Sequence, residues 1–560
     1  MQDYKIGNIA GHLAKGFLNN PLTAVLAIGI LALGYISLSV MPREEDPQIA
    51  VSGGSIIVAL PGASPDEINS AILKPLERKI SEIKGIDNIY SVAMHNVGIL
   101  NVQYLIGEDR ESSNLKLYDK VMQNMDTLPV GALNPMVKPF DIDIDVPIVT
   151  VAFYKKEDKG IPHVVLYKQI KDIQQEINGI DNISKTTLKG AKKPQFNVLM
   201  DLDKLSAYNI SIGQVVQSIQ AIAKNSPEVD LPTSDNRLVV FGVKNAINNV
   251  QDLRNLIIAK YMGSLVYLKD IAEVNYYYDI QNHQHALLSY QKGVQVHALT
   301  GHEGHMGHTE GLVEMDLPEE DENSKSHERE LEFTNNQDQV TLSISKLKGT
   351  NAVTLAGKII ERLGKNEALL DKYGIGYIVT RNYGERANEA VDELVHHLVI
   401  TIAIISLILV PFLGWRESLV VTIAVPMILA TTLFIAWMTD QTMNRITLFA
   451  LLLSLGLIVD DAIIVIENIH RRMHLKETEN QDFDRVIVEA TDEIGPSTNI
   501  ATIAIMLTMI PMAFVGGMMG QFMLPIPLNV PVALGVSLFV AYVFTPYLAK
   551  KLIKRRTGNH

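Results

Sequence analysis

Two adjacent aspartates, Asp460 and Asp461, lie inside a long apolar run and suggest proton chemistry. The run begins near Ile446 and can cross a bilayer, because about 20 apolar residues span the hydrocarbon core. A carboxylate at that depth costs about 2.5–3.5 kcal/mol on insertion scales, and two neighbouring carboxylates repel each other. At least one should therefore bind a proton unless a cation lies close. The pair predicts a proton-relay site; the alternative is a buried pair that only cross-links helices.

A second candidate site is a segment rich in histidine at about 297–335, which has no apolar periodicity. His302, His305 and His308 lie three residues apart, with methionines and a run of acidic residues near them. Imidazole and thioether groups suit soft or borderline metal ions, so one hypothesis is weak metal binding by these histidines. The other hypothesis is a solvated surface loop whose histidines bind nothing specifically.

The composition excludes several other kinds of chemistry. The net charge of −13 argues against nucleic acid as a partner, and the absence of cysteine excludes disulfides and thiol catalysis. The chain has no Gly-rich loop ending in Gly-Lys-Ser/Thr and no nucleophile-elbow pattern, so we expect neither an ATP-driven protein nor a hydrolase. We therefore expect no enzyme activity and no cofactor.

The aspartates belong to a region of repeated apolar segments. One segment covers 21–41 and is interpreted as a retained signal anchor, preceded by an amphipathic helix in 1–20 that is expected on the membrane surface. Five more lie within 393–549, which gives six transmembrane helices, and 550–560 forms a basic tail.

Positive charge predicts the orientation of these segments. Lysine and arginine clusters precede the first segment and follow the second, fourth and sixth, so they all fall on one side. By the positive-inside rule that side is the cytoplasm. The large region between the first two segments is then expected outside, in the periplasm of a diderm bacterium. The predicted location is a multi-pass protein of the bacterial inner membrane.

Strand and helix patterns divide the external region into two similar units, 42–146 and 147–392. Gly85–Ile89 recurs as Gly179–Ile183, and in both copies a helix precedes the motif and a hairpin follows it. The order of strands and helices fits ferredoxin-like βαββαβ units, with an insertion into the second unit at about 225–280. The predicted fold class is membrane α+β.

Several motifs in the chain are similar to those of one known family, the resistance–nodulation–division (RND) exporters, and above all to its inner-membrane pump for hydrophobic and amphiphilic drugs. The matching stretches are Met41–Gln48, Phe412–Arg416, Asn444–Arg445 with Thr447–Leu448, Gly456–Asn468, Pro511–Phe514 and Thr545–Pro546. The resemblance covers essentially the whole chain except the His-rich loop.

The resemblance implies a proton-driven antiporter in which Asp460 and Asp461 are the relay acids. It implies export of small amphiphilic compounds or drugs by a trimer that works with a periplasmic adaptor and an outer-membrane channel. The two α/β units would be the first two porter subdomains, and the insertion would be the docking subdomain. The metal-efflux branch of the family usually keeps one of the two aspartates, which disfavours metal as the substrate.

The chain also departs from the family pattern, because family members are normally tandems of two such halves. The resemblance places the basic partners of the relay acids in the second half. We expect either a separately encoded C-terminal half or a truncated fragment. The alternatives for function are a metal-ion efflux subunit and a transport-inactive half-pump that acts in binding or assembly.

Overall fold

The computed structural model describes most of the chain. The described residues are 6–47, 49, 51–141, 145–156, 161–223, 229–232, 235, 237–241, 247–279, 284–290, 336–475, 478 and 481–553. His302, His305 and His308 lie outside them, as does the rest of 297–335. The proposed metal site in that loop therefore stays a prediction.

Two helices open the chain, α1 (Ile9–Leu18) and α2 (Leu22–Val40). Ala10, Ala14 and Leu18 of α1 are buried, whereas Ile9 is exposed. The small residues of α1 pack against two helices from the end of the chain. The helix expected in 1–20 is therefore present, and its buried face packs against other helices of the protein.

The first α/β unit has four strands and helices on one side of its sheet. Its elements are β1 (Ser52–Ala59), α3 (Pro65–Ile68), a π-helical turn (Asn69–Leu73), α4 (Lys74–Ile80), β2 (Ile86–Met94), β3 (Val97–Tyr104), α5 (Arg110–Gln123) and β4 (Met136–Asp141). The strand order is β2-β3-β1-β4, and every paired neighbour is antiparallel. Ser64 and Glu67 form the capping box that starts α3. Alternate strand residues such as Ile56 and Leu100 are fully buried against the helices.

The second unit begins in the same way and then diverges. It starts with β5 (Pro147–Lys155), α6 (His163–Asn178) and β6 (Ile183–Lys189). An inserted set of elements follows: β7 (Pro194–Met200), α7 (Leu202–Ala207), α8 (Ile212–Ala223), β8 (Val229–Pro232), β9 (Leu238–Phe241), α9 (Val250–Arg254), β10 (Ile257–Tyr261), β11 (Ser264–Tyr267), α10 (Leu268–Ile271) and β12 (Ala272–Tyr278). β7 pairs with β12 in a sheet of their own. The inserted elements therefore begin near 194, earlier than the 225 expected from sequence, because the first strand of the insertion pairs with its last.

The chain then returns to complete the second sheet. The closing elements are β13 (Leu287–Leu288), β14 (Gln337–Lys346), α11 (Ala352–Lys365), α12 (Glu367–Lys372) and β15 (Ile375–Asn382). β6, β14, β5 and β15 lie side by side in that order, again antiparallel. The two units therefore share one strand order. The repeated motif lies at the start of the second strand in each, since Gly85–Ile89 runs into β2 and Gly179–Ile183 ends at the first residue of β6.

The rest of the chain is mainly long helices: α13 (Tyr383–Leu413), α14 (Trp415–Met438), α15 (Arg445–Met473), α16 (Phe483–Met509), α17 (Gly517–Met523) and α18 (Pro525–Leu552). A 3₁₀ turn, Ile510–Phe514, extends α16. Within the described residues, six helical stretches are long and apolar enough to cross a membrane: Leu22–Val40, Tyr383–Leu413, Trp415–Met438, Arg445–Met473, Phe483–Phe514 and Gly517–Leu552. They form one bundle with a shared apolar core, in which α15 and α18 pack along each other. We call the end of the bundle that meets the α/β units the α/β end, and the opposite end, where α1 packs, the far end.

Candidate functional site

Asp461 is buried in the middle of the bundle, with a relative exposure of 5%. One carboxylate oxygen, Oδ1, accepts a hydrogen bond from the Thr502 hydroxyl of α16 at 3.0 Å. The other, Oδ2, accepts from the Ser537 hydroxyl of α18. Three helices therefore meet at this carboxyl group, and both of its donors are neutral.

The Ser537 hydroxyl has a second acceptor within reach. Its oxygen lies 3.2 Å from the carbonyl oxygen of Ile458, one turn before Asp461 on α15. A serine hydroxyl has one proton to donate but can also accept. When Asp461 is ionised, Ser537 donates to it. When Asp461 carries a proton, it can donate to Ser537 Oγ, and Ser537 can donate to the Ile458 carbonyl. Both protonation states of the carboxyl group keep their hydrogen bonds without a change of fold.

Asp460 has a different environment from that of its neighbour. Its side chain is exposed, and it forms no hydrogen bond or ion pair with any described residue. One helical step turns the side chain by about 100°, so Asp460 points away from the α18 contact that holds Asp461. Gly456, Ile464 and Glu467, which lie about one and two turns away, are exposed as well. We call this side of α15 its outer face and the side that packs on α18 its inner face.

The helix that carries the aspartates is fixed at its start by a buried cap. Asn444, with a relative exposure of 2%, accepts hydrogen bonds through Oδ1 from the backbone N–H groups of Ile446 at 3.0 Å and Thr447 at 2.9 Å. Such a cap satisfies N–H groups that would otherwise be unpaired at a buried helix end. Below it, apolar residues of α15 such as Leu455 and Ile458 fill the contact with α18 and fix the height of Asp461.

No lysine or arginine pairs with either aspartate in the part of the chain that the structure describes. The arginines of α15 all have other partners: Arg445 pairs with Asp46 at the α/β end, and the other two lie at the far end. Arg472 contacts Glu489 at 3.0 Å and Glu493 at 2.7 Å, and Arg471 contacts Glu493 at 3.1 Å. Asp461 is thus held by hydroxyl groups alone, which leaves its net charge free to change.

A second buried carboxylate lies where the bundle meets the α/β units. Glu44, in the loop after α2, forms an ion pair with Lys346 at the end of β14, and the side chains are only 4% and 10% exposed. The Glu44 backbone N–H also donates to the carbonyl of Met443, in the loop before α15, at 3.0 Å. This loop therefore contacts both the second α/β unit and the helix that carries Asp461.

The neighbouring residue extends the same contact. The Arg43 guanidinium donates to the side chain of Asn388 on α13 at 2.7 Å, and the Arg43 carbonyl accepts from the backbone N–H of Ala352 at the start of α11 at 3.0 Å. Arg445 forms an ion pair with Asp46 at 2.5 Å. We call the segment Pro42–Asp46, with the partners named here and above, the joint. Sequence reasoning quoted Met41–Gln48 as a motif but did not predict its role, since Lys346 is about 300 residues away.

Sequence reasoning also missed Thr502 and Ser537. Each is one of several hydroxyl residues in an apolar segment, and such residues commonly bond to their own helix, so the sequence carried no specific signal. For metals, no group of three or more His, Asp or Glu residues is placed to hold an ion among the described residues.

Comparison with known proteins adds an independent observation. The model of the AcrB/AcrD/AcrF family matches residues 13–300 and 321–560. The chain is also similar to the swarming motility protein SwrC of Bacillus subtilis (strain 168), with 25% identity over 547 residues, which cover 97% of this chain and 50% of SwrC. The chain therefore spans about half the length of this relative.

Proposed function

The chain belongs to the AcrB/AcrD/AcrF family of RND permeases, as its motifs predict, and on this premise we propose that it is a proton-driven exporter subunit in which Asp461 binds and releases the coupling proton. Family membership and the long apolar helices make it a multi-pass membrane protein. Members of this family are transporters, and we propose that this chain has no enzymatic activity and needs no cofactor.

The hydrogen-bond exchange at Ser537 is the observation that supports this role most directly. A group that gains and loses a proton in a dry bundle must be satisfied in both states, since an unpaired buried polar group costs about 1–3 kcal/mol. Ser537 meets this need by donating either to Asp461 or to the carbonyl of Ile458, 3.2 Å away. A fixed cation beside Asp461 would instead hold the carboxyl group ionised.

The exposed position of Asp460 suggests a different role in the same mechanism. A carboxylate on the outer face of a membrane helix is costly if lipid covers it. We propose that the outer face of α15 packs against a second, homologous half that supplies the basic partner of Asp460. The proposal rests on the exposure of Asp460 and on its lack of a partner within the described residues.

The joint gives a route by which proton binding could move the α/β units. The loop Pro42–Asp46 contacts the start of α15 and the second α/β unit, so a shift of α15 reaches β14 through Met443, Glu44 and Lys346.

We propose that six helices cross the inner membrane and that the α/β units are ferredoxin-like porter subdomains in the periplasm. The further assembly is proposed as a trimer with an adaptor and an outer-membrane channel, and the substrates as small amphiphilic compounds.

The test is export by the full chain, together with its second half, in cells that lack their own exporters. Asp461→Asn should abolish resistance to amphiphilic compounds while the protein stays in the membrane, because asparagine keeps the shape but cannot carry the proton. Glu361→Gln, which alters an exposed acid on α11 outside the bundle, is the control and should keep resistance. Full resistance in Asp461→Asn would contradict the proposal, and metal tolerance without drug resistance would favour the metal-export alternative.

A further inference from the structure

Buried polar residues recur along the inner face of α15 at a spacing of seven. Thr447, Ser454, Asp461 and Asn468 have relative exposures of 1%, 0%, 5% and 7%. Seven residues are close to two helical turns, so all four lie on one face and form a line along the helix. Apolar residues fill the positions between them, such as Leu451 and Leu455.

The helix that packs on this face has a polar series of its own. Asn529, Ser537 and Thr545 of α18 recur every eight residues, and their exposures are 3%, 0% and 0%. Each step of eight turns the side chain by about 80°, so these residues wind around α18 and do not share one face. The contact of Ser537 with Asp461 brings the two series together at mid-height. We call the four buried polar residues of α15 and the three of α18, which meet at Asp461 and Ser537, the polar seam.

At the α/β end the polar seam opens into a cavity of about 270 Å³. Gln441, Asn444 and Thr447 are among the residues that line it. Asn529 donates to the side chain of Gln441 at 2.8 Å, so the first polar residue of α18 also lies beside this opening. The cavity connects the seam with the side of the bundle that faces the α/β units.

Toward the far end the seam contains a buried group without a partner. The hydroxyl oxygen of Thr545 has no hydrogen-bond partner within the described part of the chain, although it is fully buried. Buried polar atoms of this kind are normally satisfied by protein or by ordered water. Near this end the Asn468 amide donates to the carbonyl of Ala490 at 2.7 Å and to Glu493 at 3.1 Å.

We propose that the polar seam is the path of the proton to and from Asp461: it enters at the cavity beside Thr447, passes Ser454, and leaves Asp461 past Thr545 and Asn468. This inference rests on the proposed function, since it concerns the same carboxyl group. The line of buried hydroxyls, the cavity at one end and the unsatisfied hydroxyl at the other are separate observations that point to the same track.

The transfer steps balance with water as the only added participant. Members of the series on α15 lie about 10 Å apart along the helix, so water molecules must bridge each gap. A hydroxyl accepts a proton from the water on the cavity side and gives its own proton to the water on the Asp461 side. Asp461 is the acceptor at which the charge changes, and the remaining titratable groups whose charge acts on it among the described residues are Asp460 and Tyr542.

If the hydroxyls of the seam were purely structural, the outcome would differ, and two matched pairs of substitutions separate the two roles. Ser454 donates to the Leu451 carbonyl of its own helix at 2.8 Å, as serines in apolar helices often do. Ser454→Val and Ser454→Thr add the same volume, but only the threonine keeps the hydroxyl. Thr447→Val removes a hydroxyl from the seam, and Thr432→Val removes an equally buried hydroxyl from α14, where it donates only to the Ile428 carbonyl of its own helix at 2.8 Å.

The measurement is the rate at which Asp461 takes up a proton after a pH jump, followed by time-resolved infrared spectroscopy of the full chain in lipid vesicles. The band that Asp461→Asn removes identifies the group. Ser454→Val and Thr447→Val should slow its appearance by about tenfold or more, the factor given by about 1.4 kcal/mol of added barrier. Ser454→Thr and Thr432→Val should stay within about twofold of the unsubstituted chain.

The outcomes separate this inference from the proposed function. If the Asp461 band titrates but Ser454→Val and Thr447→Val react as fast as Thr432→Val, the path is wrong and the relay stands. If Ser454→Thr slows uptake as much as Ser454→Val, added volume and not the missing hydroxyl is responsible, which overturns the path. If no band depends on Asp461, the proposed function itself fails.

Discussion

Two of the buried carboxylates among the described residues, Asp461 in the bundle and Glu44 at the joint, have very different surroundings. Asp461 is 5% exposed and is held by the hydroxyls of Thr502 and Ser537. Glu44 is 4% exposed and is held by the ammonium group of Lys346. A cation stabilises the charged form of its partner, whereas hydroxyls can serve the charged and the neutral form alike. At similar burial, the joint therefore supplies a cation to its carboxylate, whereas the bundle supplies neutral hydroxyl donors.

This contrast fits the different roles proposed for the two regions, coupling at the joint and proton relay in the bundle. A coupling element must keep its structure while the proton moves, so a permanent ion pair suits the joint. A relay must tolerate both states, so neutral donors suit Asp461. The predictions below test whether the two carboxylates differ as their partners indicate.

The largest effect on stability is expected at the joint. Lys346→Met leaves Glu44 buried without its cation, which should lower the free energy of unfolding of the full chain in detergent by about 3–5 kcal/mol. Adding Glu44→Gln to Lys346→Met should restore much of this loss, because the uncompensated charge is removed. A denaturant titration measures both variants.

The control for that prediction is an exposed pair of the same chemistry. Lys365 and Glu361 on α11 are 65% and 64% exposed. Lys365→Met should change the stability by less than about 1 kcal/mol, since exposed ion pairs contribute little. Equal effects of Lys346→Met and Lys365→Met would mean that the buried pair at the joint contributes no more to stability than an exposed pair.

A smaller effect is expected at the relay, and it should depend on pH. Ser537→Ala leaves Asp461 with Thr502 alone, which should cost about 1–3 kcal/mol when the carboxyl group is ionised and less when it carries a proton. Ser37→Ala on α2 removes a fully buried hydroxyl that donates only to the Leu33 carbonyl of its own helix at 2.8 Å. Its effect should be the same at every pH. Parallel, pH-independent effects of the two substitutions would contradict a titrating Asp461.

The smallest effect is expected at a carboxylate that is paired with a lysine but half exposed. Asp338 at the start of β14 contacts Lys192 at 2.5 Å, and this hydrogen bond holds the pKa of Asp338 below its usual range. A lowered pKa in the folded state stabilises the fold above the unfolded pKa of about 3.9, and this contribution is lost as the pH falls through the folded value.

Thermal melting of the full chain and of Lys192→Met tests this sign. The melting temperature of the unsubstituted chain should exceed that of Lys192→Met at neutral pH, and the difference should shrink as the medium is acidified below about pH 4. A difference in melting temperature that grows toward acid pH would contradict the lowered pKa of Asp338.

The sequence predicted the architecture well where patterns are local. The amphipathic faces around Ile68 and Leu76 and the repeated motif at the start of β2 and β6 correspond to elements of the structure. The inserted elements begin near 194 and not at 225, because the pairing of β7 with β12 joins residues about 80 apart in sequence and leaves no periodic signal.

The candidate site was predicted only in part, for the same physical reason. A charged pair in an apolar run stands out in the sequence, so Asp460 and Asp461 could be selected, and the structure shows how differently they are placed. Which of them is buried, and that Ser537 and Thr502 hold it, depends on packing between three helices. The pairing of Glu44 with Lys346 likewise depends on tertiary structure.

The central claim is that Asp461 changes its protonation state, and an equilibrium infrared titration of the full chain in lipid vesicles tests it most directly. We predict a protonated-carboxyl band that disappears as the medium is made alkaline, that is absent from Asp461→Asn and that persists in Glu467→Gln. A spectrum in which Asp461→Asn removes no titrating band would show that the charge of this group is fixed and would contradict the account.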